Sequence, residues 1–385
     1  MLLLMRTTFE QMRRCLTKSW LWVPLSAVRR GVPILRLWIW PLLALAALLA
    51  PAIAPAKSSP PRIVAVGDLH GDFDAWEAIA KAAGLIDAKG RWAGGNTTLV
   101  QMGDVADRGP DSLLIIRQLM KLQREARGKG GKVIALVGNH EAMNMTGDLR
   151  YVHPGEFRAF VTRESEAIRN RVYDANRPAI EAAYRAKDPT LTAAAIRAGW
   201  MQANPLGKLE HQAAWGPDGE IGKWVVTNPA VAKVGDSLFV HGGISAAYTQ
   251  YSPEQINRRV ADALKAQETI PTSIINDPAG PLWYRGLISR APGDETTVAP
   301  AAAANARPLT VDQEIRLVLE AFHVDRIVVA HTPSTVGIIS ADNGALWRID
   351  SAISRAYGGK LTYLEIIGGK AVAHDVPRPP AKPWG

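Results

Sequence analysis

Short apolar runs alternate with longer stretches of helical spacing along the chain from residue 62 onward. Five apolar runs predict strands, and they occupy residues 63–66, 98–102, 133–137, 238–240 and 326–330. Apolar residues spaced three and four apart predict helices over Phe73–Ala83, Asp111–Glu125, Pro253–Ala266 and Val311–Phe322. Strands that alternate with helices in this way indicate an α/β protein.

Three regions depart from that alternation: the carboxyl-terminal strands, an alanine-rich stretch and a low-complexity stretch. Residues 336–340, 345–350 and 361–376 resemble strands joined by turns, which predicts a second, more antiparallel sheet near the carboxyl end. Residues 147–225 are alanine-rich and helical in pattern, and they predict a cap-like insertion. Residues 290–308 have low complexity and predict a surface loop.

The first 56 residues have the order of a secretory signal. Residues 37–56 are uncharged and mostly apolar, arginines precede them, and the small residues 54–56 end the stretch as a cleavage site. An uncleaved anchor is the alternative, because 20 uncharged residues could just span a bilayer. Both readings place residues 57–385 outside the cytoplasm, in a bacterial periplasm or on the outer face of the membrane, since basic residues before the apolar run stay inside.

Charge and cysteine content limit what residues 57–385 can do. The whole chain has a formal charge of +9, but the leader holds seven basic residues and one acid, so only +3 is left for the rest. That small charge argues against nucleic-acid binding. The single cysteine, Cys15, lies in the leader. The remainder therefore contains no disulfide, zinc ribbon or thiol nucleophile, which suits an oxidising compartment.

Each of the five predicted strands ends in a polar cluster. The clusters are GDLHGD (67–72), GDVADRG (103–109), GNHE (138–141), HGG (241–243) and HT (331–332). In an open α/β sheet, sites form beyond the carboxyl ends of the strands. Convergence of these ends would gather six metal-ligand candidates: Asp68, His70, Asp104, Asn139, His241 and His331. Carboxylate, imidazole and amide groups without thiolate suit hard or borderline divalent metals.

A single Gly-Asp after a strand is usually a turn, and a single histidine is usually structural. The order and context of the whole set argue against coincidence. Four histidines lie outside the clusters and are interpreted as structural: His153, His211, His323 and His374.

Together these motifs, spread over residues 63–375, resemble the phosphoprotein phosphatase family of calcineurin-like metallophosphoesterases. Residues 142–152, 281–286 and 348–366 resemble its Shewanella-like branch. Val137 stands where the eukaryotic serine/threonine enzymes have an arginine, and their C-terminal tyrosine-cysteine motif is missing. The resemblance implies an α/β/β/α sandwich of two mixed sheets flanked by helices. It would form one domain over residues 57–385, with 147–225 as a helical cap.

The resemblance also implies roles for the clustered residues. Asp68 and His70 would bind one divalent ion. Asn139, His241 and His331 would bind a second, and Asp104 would bridge the two. Manganese is the expected metal, with iron or zinc as alternatives. A hydroxide shared by the ions would attack phosphorus in line, without a phosphoenzyme.

The family pattern assigns four further residues. Arg108 would hold phosphate oxygens, since its planar fork matches them. Arg285 is the candidate for a second such arginine, with an ordinary surface arginine as the alternative. His140 would protonate the leaving oxygen, and Asp107 would orient His140 and favour its charged form.

The resemblance implies hydrolysis of phosphomonoesters on proteins, peptides or small molecules, and the branch is associated with phosphotyrosine. Trp200, Trp215 and Trp224 could line a deep site, but a place in the core is the usual role of such residues. A nucleotide or dinucleoside polyphosphate hydrolase on the same scaffold is the main alternative. An exported, non-catalytic binding protein is another, although it predicts a lost ligand and none is lost. Membrane contact is expected only through an uncleaved leader.

Overall fold

The computed structural model describes residues 61–290, 309–380 and 384. The predicted leader and almost all of the predicted loop over 290–308 lie outside the described residues. Arg290, the first residue of that loop, is half-buried and pairs with Glu314, so it is not a free surface residue. Within the described part of the chain, no helix is long and apolar enough to cross a membrane.

The first sheet has three parallel strands at one side and two antiparallel strands at the other. Its strands are β1 (Arg62–Val66), β2 (Thr98–Gln101), β3 (Lys132–Ala135), β9 (Leu361–Ile367) and β10 (Lys370–Val376). They lie in the order β10-β9-β1-β2-β3. β1 pairs in parallel with β2, and β2 with β3, whereas β9 runs antiparallel to both β1 and β10.

The second sheet is also mixed. Its strands are β4 (Val231–Val234), β5 (Ser237–Val240), β6 (Arg326–Val329), β7 (Ile339–Ala341) and β8 (Leu346–Arg348), in the order β4-β5-β6-β8-β7. The prediction of a separate sheet for the carboxyl-terminal strands is wrong. β8 pairs in parallel with β6, and β9 pairs with β1, so the tail is divided between the two sheets. Each tail strand thereby satisfies the backbone groups of an edge that would otherwise stay open.

The two sheets pack face to face. Alternate residues of both, among them Ala65 on β1, Phe239 on β5 and Val328 on β6, form one apolar cluster between the sheets. On the outer faces, α1 (Phe73–Ala82) and α2 (Ser112–Arg127) cover the first sheet, and α9 (Pro253–Ala266) and α11 (Val311–Phe322) cover the second. This is the predicted α/β/β/α sandwich of mixed sheets.

Residues 154–225 form five helices, in agreement with their predicted helical character. They are α4 (Pro154–Ala159), α5 (Ser165–Arg185), α6 (Ala193–Ala203), α7 (Lys208–Trp215) and α8 (Glu220–Val225). Trp215 is fully buried in the core, and Trp224 packs against it from a half-buried position. Trp200 contacts Tyr173 between α5 and α6. The predicted place in the core is confirmed for Trp215, whereas Trp224 and Trp200 are half-buried and pack against the core and against Tyr173, respectively.

Candidate active site

The carboxyl ends of five strands converge on one site. β1, β2 and β3 contribute the loops 67–72, 103–109 and 138–141, and the last of these opens α3 (Asn139–Thr146). β5 and β6 contribute the loops 241–243 and 331–332 from the other sheet. Asp104 lies at the meeting point: its Oδ2 is 3.3 Å from His241 Nε2 and 3.8 Å from His70 Nε2.

The donor atoms form two groups that share Asp104. One group contains His70, Asp104 and His140, the other contains Asp104, His241 and His331, and the donors of each group lie within 4.8 Å of one another. Asp68 adjoins both: its Oδ2 is 4.0 Å from His70 Nε2 and accepts a hydrogen bond from the His331 N–H.

Buried donors that lack a hydrogen-bond partner fit a metal centre. In the described part of the chain, Asp68 Oδ1 and His331 Nε2 are buried and make no hydrogen bond. Burial and the neighbouring carboxylates of Asp350 and Asp104 raise the pKa of Asp68. Such a concentration of carboxylates is stabilised by cations, so the residues present fit a pair of divalent ions.

Two histidines are oriented by backbone carbonyls. His70 Nδ1–H donates to the carbonyl of Ala106 at 3.0 Å, and His241 Nδ1–H donates to that of Met102 at 2.8 Å. Both rings therefore present Nε2 to the site, as metal-binding histidines usually do. Burial lowers the pKa of His70 to about 4, which keeps it in the neutral form that binds metal.

Asn139 and His140 begin α3 and point into the same centre. Asn139 Oδ1 lies 3.1 Å from His241 Nε2. His140 Nδ1 lies 2.5 Å from Asp107 Oδ2, and the other oxygen of Asp107 accepts from Asn144. Burial opposes protonation of His140, but the carboxylates of Asp104 and Asp107 outweigh it and the pKa of His140 is raised. A charged imidazole held at Nδ1 can deliver a proton from Nε2.

Both candidate arginines lie at the site. The guanidinium of Arg108 stacks 4.0 Å above the Tyr151 ring, and its Nε is buried without a hydrogen bond to any described residue. Arg285 is exposed, and its Nη2 donates to the His331 carbonyl at 3.3 Å. Arg285 therefore adjoins a metal-ligand candidate and is not an isolated surface residue.

A cleft of about 370 Å³ opens beside the second group of donors. Its lining consists of Asn276, Pro278, Trp283, Arg285 and His331. The Trp283 ring stands at 89° to the His331 ring, with 5.6 Å between their centroids. The cleft therefore joins an aromatic wall to the metal-ligand candidates.

Glu141 is a functional residue that the sequence reasoning missed. Its carboxylate accepts hydrogen bonds from the backbone N–H groups of Asp104, Val105, Ala106 and Gly138. It thereby joins the loop after β2 to the loop after β3. Its place in the GNHE motif was visible, but only the fold shows which donors it meets.

Other missed residues surround the predicted ones. Tyr357 lies 5.2 Å from the His70 ring and 5.7 Å from the Arg108 guanidinium. Asp350 is buried beside Asp68, and burial raises its pKa to about 6. The four histidines interpreted as structural lie outside both donor groups, and His211 is fully buried among aromatic rings.

The site residues adopt an uncommon backbone conformation. Five of them have positive φ angles, between 43° and 71°: His70, Asp104, Asp107, Arg108 and His331. L-residues avoid this region, and such conformations cluster at functional sites. Glycines allow the close approach of the loops, since a Cβ on Gly138 would lie 2.4 Å from the Asp104 nitrogen.

Comparison with known proteins agrees with this arrangement. A model of the Calcineurin-like phosphoesterase family matches residues 61–334, which include all six metal-ligand candidates. The chain belongs to this family. It is therefore a metal-dependent phosphoesterase, and the family uses divalent metals.

Its relatives support the Shewanella-like branch. Shewanella-like protein phosphatase 2 of Arabidopsis thaliana is 41% identical over 207 residues, which cover 52% of this chain and 51% of that protein. A Schizosaccharomyces pombe protein named Uncharacterized protein C1840.07c is 31% identical over 81% of this chain and 79% of its own length. The crystal structure of a cold-active protein-tyrosine phosphatase from a Shewanella species has a TM-score of 0.58 at 25% identity, with 83% of this chain and 81% of that chain covered.

Proposed function

We propose that the protein is a two-metal phosphomonoesterase that acts on phosphorylated proteins, with phosphotyrosine as the preferred substrate. The observation that carries the proposal is the pair of donor groups that share Asp104. Because the Asp104 carboxylate belongs to both groups, the arrangement suits two ions that would bind the same phosphate. The tyrosine preference is supported by the Shewanella neighbour, which is named a protein-tyrosine phosphatase.

In this proposal the ligands divide as the motifs suggest. Asp68 and His70 would hold one ion, Asn139, His241 and His331 would hold the other, and Asp104 would serve both. Divalent ions bound there would polarise the phosphate and lower the pKa of a water molecule. Manganese is the proposed metal, and iron and zinc are alternatives that the same donors accept.

The remaining residues bind the phosphate and move one proton. Arg108 and Arg285 hold phosphate oxygens, because a guanidinium fork matches them in geometry and charge. His140 carries the proton at Nε2 and passes it to the leaving oxygen. Asp107 fixes the ring through Nδ1 and favours the protonated form until transfer.

In this proposal the cleft beside His331 receives the aromatic leaving group. Trp283 and Pro278 form apolar walls next to Arg285, so a phosphate held by Arg285 would place an attached aryl ring between them. An aromatic ring packed on indole is stabilised beyond simple burial. The short side chain of phosphoserine would leave these walls uncovered.

The test is phosphate release by purified protein that has been stripped of metal and reloaded with manganese, iron or zinc. Phosphotyrosine, phosphoserine and phosphothreonine peptides would be compared with a nucleotide panel, with Asp104→Asn as the blank. Metal-dependent release that is fastest from phosphotyrosine peptides is expected. Release confined to nucleotides or dinucleoside polyphosphates, or no release with any metal, would contradict the proposal.

We also propose that residues 57–385 act outside the cytoplasm, on the evidence of the apolar stretch at 37–56 alone. Amino-terminal sequencing of the mature protein from cell fractions tests this. A periplasmic protein that begins near residue 57 is expected, and a cytoplasmic protein that keeps the leader would contradict it.

A further inference from the structure

A buried carboxylate on α11 lies behind the segment that carries Arg285. Glu314, in the first turn of α11, is 1% exposed, and both of its carboxylate oxygens accept hydrogen bonds. Oε1 accepts from the Ala246 N–H at 2.8 Å, and Oε2 accepts from the Tyr284 hydroxyl at 2.6 Å. Arg290 donates to the same Oε2. The charge of the buried carboxylate is therefore paired, and the proposed mechanism uses neither Glu314 nor its three donors.

The donors belong to segments that also carry site residues. Ala246 follows the loop 241–243, which supplies a metal-ligand candidate, and Tyr284 directly precedes Arg285. The Glu314 side chain thus joins a loop of the proposed metal centre to the wall of the cleft. It does so from behind, since Glu314 is not part of the lining of the cleft.

Close packing also holds the backbone around Tyr284. The Gly242 N–H donates to the Pro281 carbonyl at 2.8 Å. A Cβ on Gly242 would lie 2.9 Å from the Tyr284 nitrogen, and a Cβ on Gly286 would lie 2.2 Å from the Tyr284 hydroxyl oxygen. The Tyr284 side chain is 3% exposed, so its ring has little freedom to move away from the Glu314 carboxylate. The backbone and the hydroxyl of Tyr284 are therefore both anchored.

Arg285 depends on this anchor more than Trp283 does. The guanidinium of Arg285 is exposed and donates to the His331 carbonyl at 3.3 Å, which is longer than a usual N–H···O bond. Trp283 has a hydrogen bond of its own, because its indole Nε1–H donates to the Ile275 carbonyl at 2.9 Å. Loss of the bond between the tyrosine and the carboxylate is therefore expected to displace Arg285 and to leave the aromatic wall in place.

We propose that Glu314 is a positioning residue, which acts through the hydroxyl of Tyr284 to hold Arg285 where it meets the phosphate. The inference rests on the proposed function, since it requires that Arg285 binds phosphate oxygens. Its consequence is that part of the affinity for phosphate resides in a buried hydrogen bond behind the site, because small displacements of a binding group lower rates steeply.

The test is Tyr284→Phe on the metal-loaded protein. This substitution removes one hydroxyl and leaves Glu314 paired with Arg290, whereas Glu314→Ala would take the acceptor away from three donors at once. We expect KM for an aryl phosphate and the dissociation constant of inorganic phosphate to rise about fivefold, with little change in kcat. Tyr363→Phe removes the hydroxyl of another buried tyrosine, on β9, and is the matched control, with wild-type values expected.

Two further measurements separate positioning from general destabilisation. In an Arg285→Ala background, Tyr284→Phe should change KM by less than about twofold, because the displaced group is already absent. The ratio of kcat/KM for phosphotyrosine over phosphoserine peptides should keep its wild-type value, because the hydrogen bond of the Trp283 indole is intact.

Three outcomes would overturn the inference and leave the proposed function intact. They are equal rises in KM in both backgrounds, a Tyr284→Phe variant equal to wild type, and a loss confined to phosphotyrosine peptides. A wild type that is inert with every metal would instead refute the proposed function, and calorimetric titration with inorganic phosphate would still test the link between Tyr284 and Arg285. A wild type that neither turns over substrate nor binds phosphate would overturn both.

Discussion

The half of the site on the first sheet is bound together more tightly than the half on the second. On the first sheet, Glu141 alone joins two loops through four backbone hydrogen bonds, and Asp107 fixes His140. On the second sheet, Arg285 is exposed, and the hydrogen bonds that His331 makes to described residues come from its backbone N–H and carbonyl groups. If the proposed function is correct, the first half would set the geometry of proton transfer, and the second, more open half would contact the leaving group.

The largest expected effect tests the first half. His140→Asn should lower kcat by about 10²–10⁴-fold, the usual contribution of general acid catalysis. The metal content should not change, because His140 is proposed as a proton donor and not as a ligand. Turnover and metal analysis on the same samples provide the measurement. A parallel loss of metal and activity would make His140 a ligand, as its place in a donor group would allow.

Glu141→Ala tests whether the hydrogen bonds of that half hold its loops. Four backbone donors would lose their acceptor, and unsatisfied buried groups cost about 1–3 kcal/mol each. We expect the free energy of unfolding of the metal-free protein to fall by about 3 kcal/mol or more. Glu125→Ala is the matched control, since Glu125 accepts one backbone hydrogen bond, from Trp92. Equal midpoints in urea for the two variants would refute the special role of Glu141.

Arg285→Ala tests the open half. Loss of a charge-assisted contact to phosphate should raise KM about tenfold and change kcat little, because Arg285 has no proposed part in proton transfer. Steady-state kinetics with an aryl phosphate provide the measurement, and Lys265→Ala on α9 controls for loss of an exposed positive charge. An unchanged KM would instead support the alternative that Arg285 is an ordinary surface arginine.

The smallest expected effect concerns the aromatic wall. Trp283→Ala should reduce the preference for phosphotyrosine over phosphoserine peptides about three- to tenfold. An aromatic contact contributes about 0.5–1.5 kcal/mol, which corresponds to a change of this size. The ratio of kcat/KM for the two peptides measures it. An equal loss of kcat/KM on both peptides would mean that Trp283 has a structural role instead.

Local signals in the sequence predicted the elements and the ligand candidates. The bounds of α9 and α11 agree to the residue with those predicted from the apolar spacing, and the structure shows that a capping box begins each helix, at Ser252 and Thr310. The six ligand candidates were recognisable because each lies in a polar cluster directly after an apolar run.

Contacts between residues that lie far apart in the sequence could not be predicted from the residues alone. Arg62 pairs with Ile367 at the opposite end of the domain, and no local pattern assigns β9 to that neighbour. For the same reason Tyr357 and Trp283 were not recognised as neighbours of the site. Both lie in segments that resemble the Shewanella-like branch, but only tertiary contacts bring their side chains to the metal-ligand candidates.

The left-handed backbone of five site residues has a consequence for how such a chain changes over evolutionary time. Each of these conformations costs roughly 1 kcal/mol in a non-glycine residue. Together they lower the free energy of unfolding by about 5 kcal/mol, which is comparable to the net stability of many domains. Glycine would relieve that strain, but in the proposed mechanism these side chains bind metal, bind phosphate or orient His140, so selection for catalysis would oppose glycine. A gene copy released from that selection is expected to acquire glycine at these five positions before its core decays.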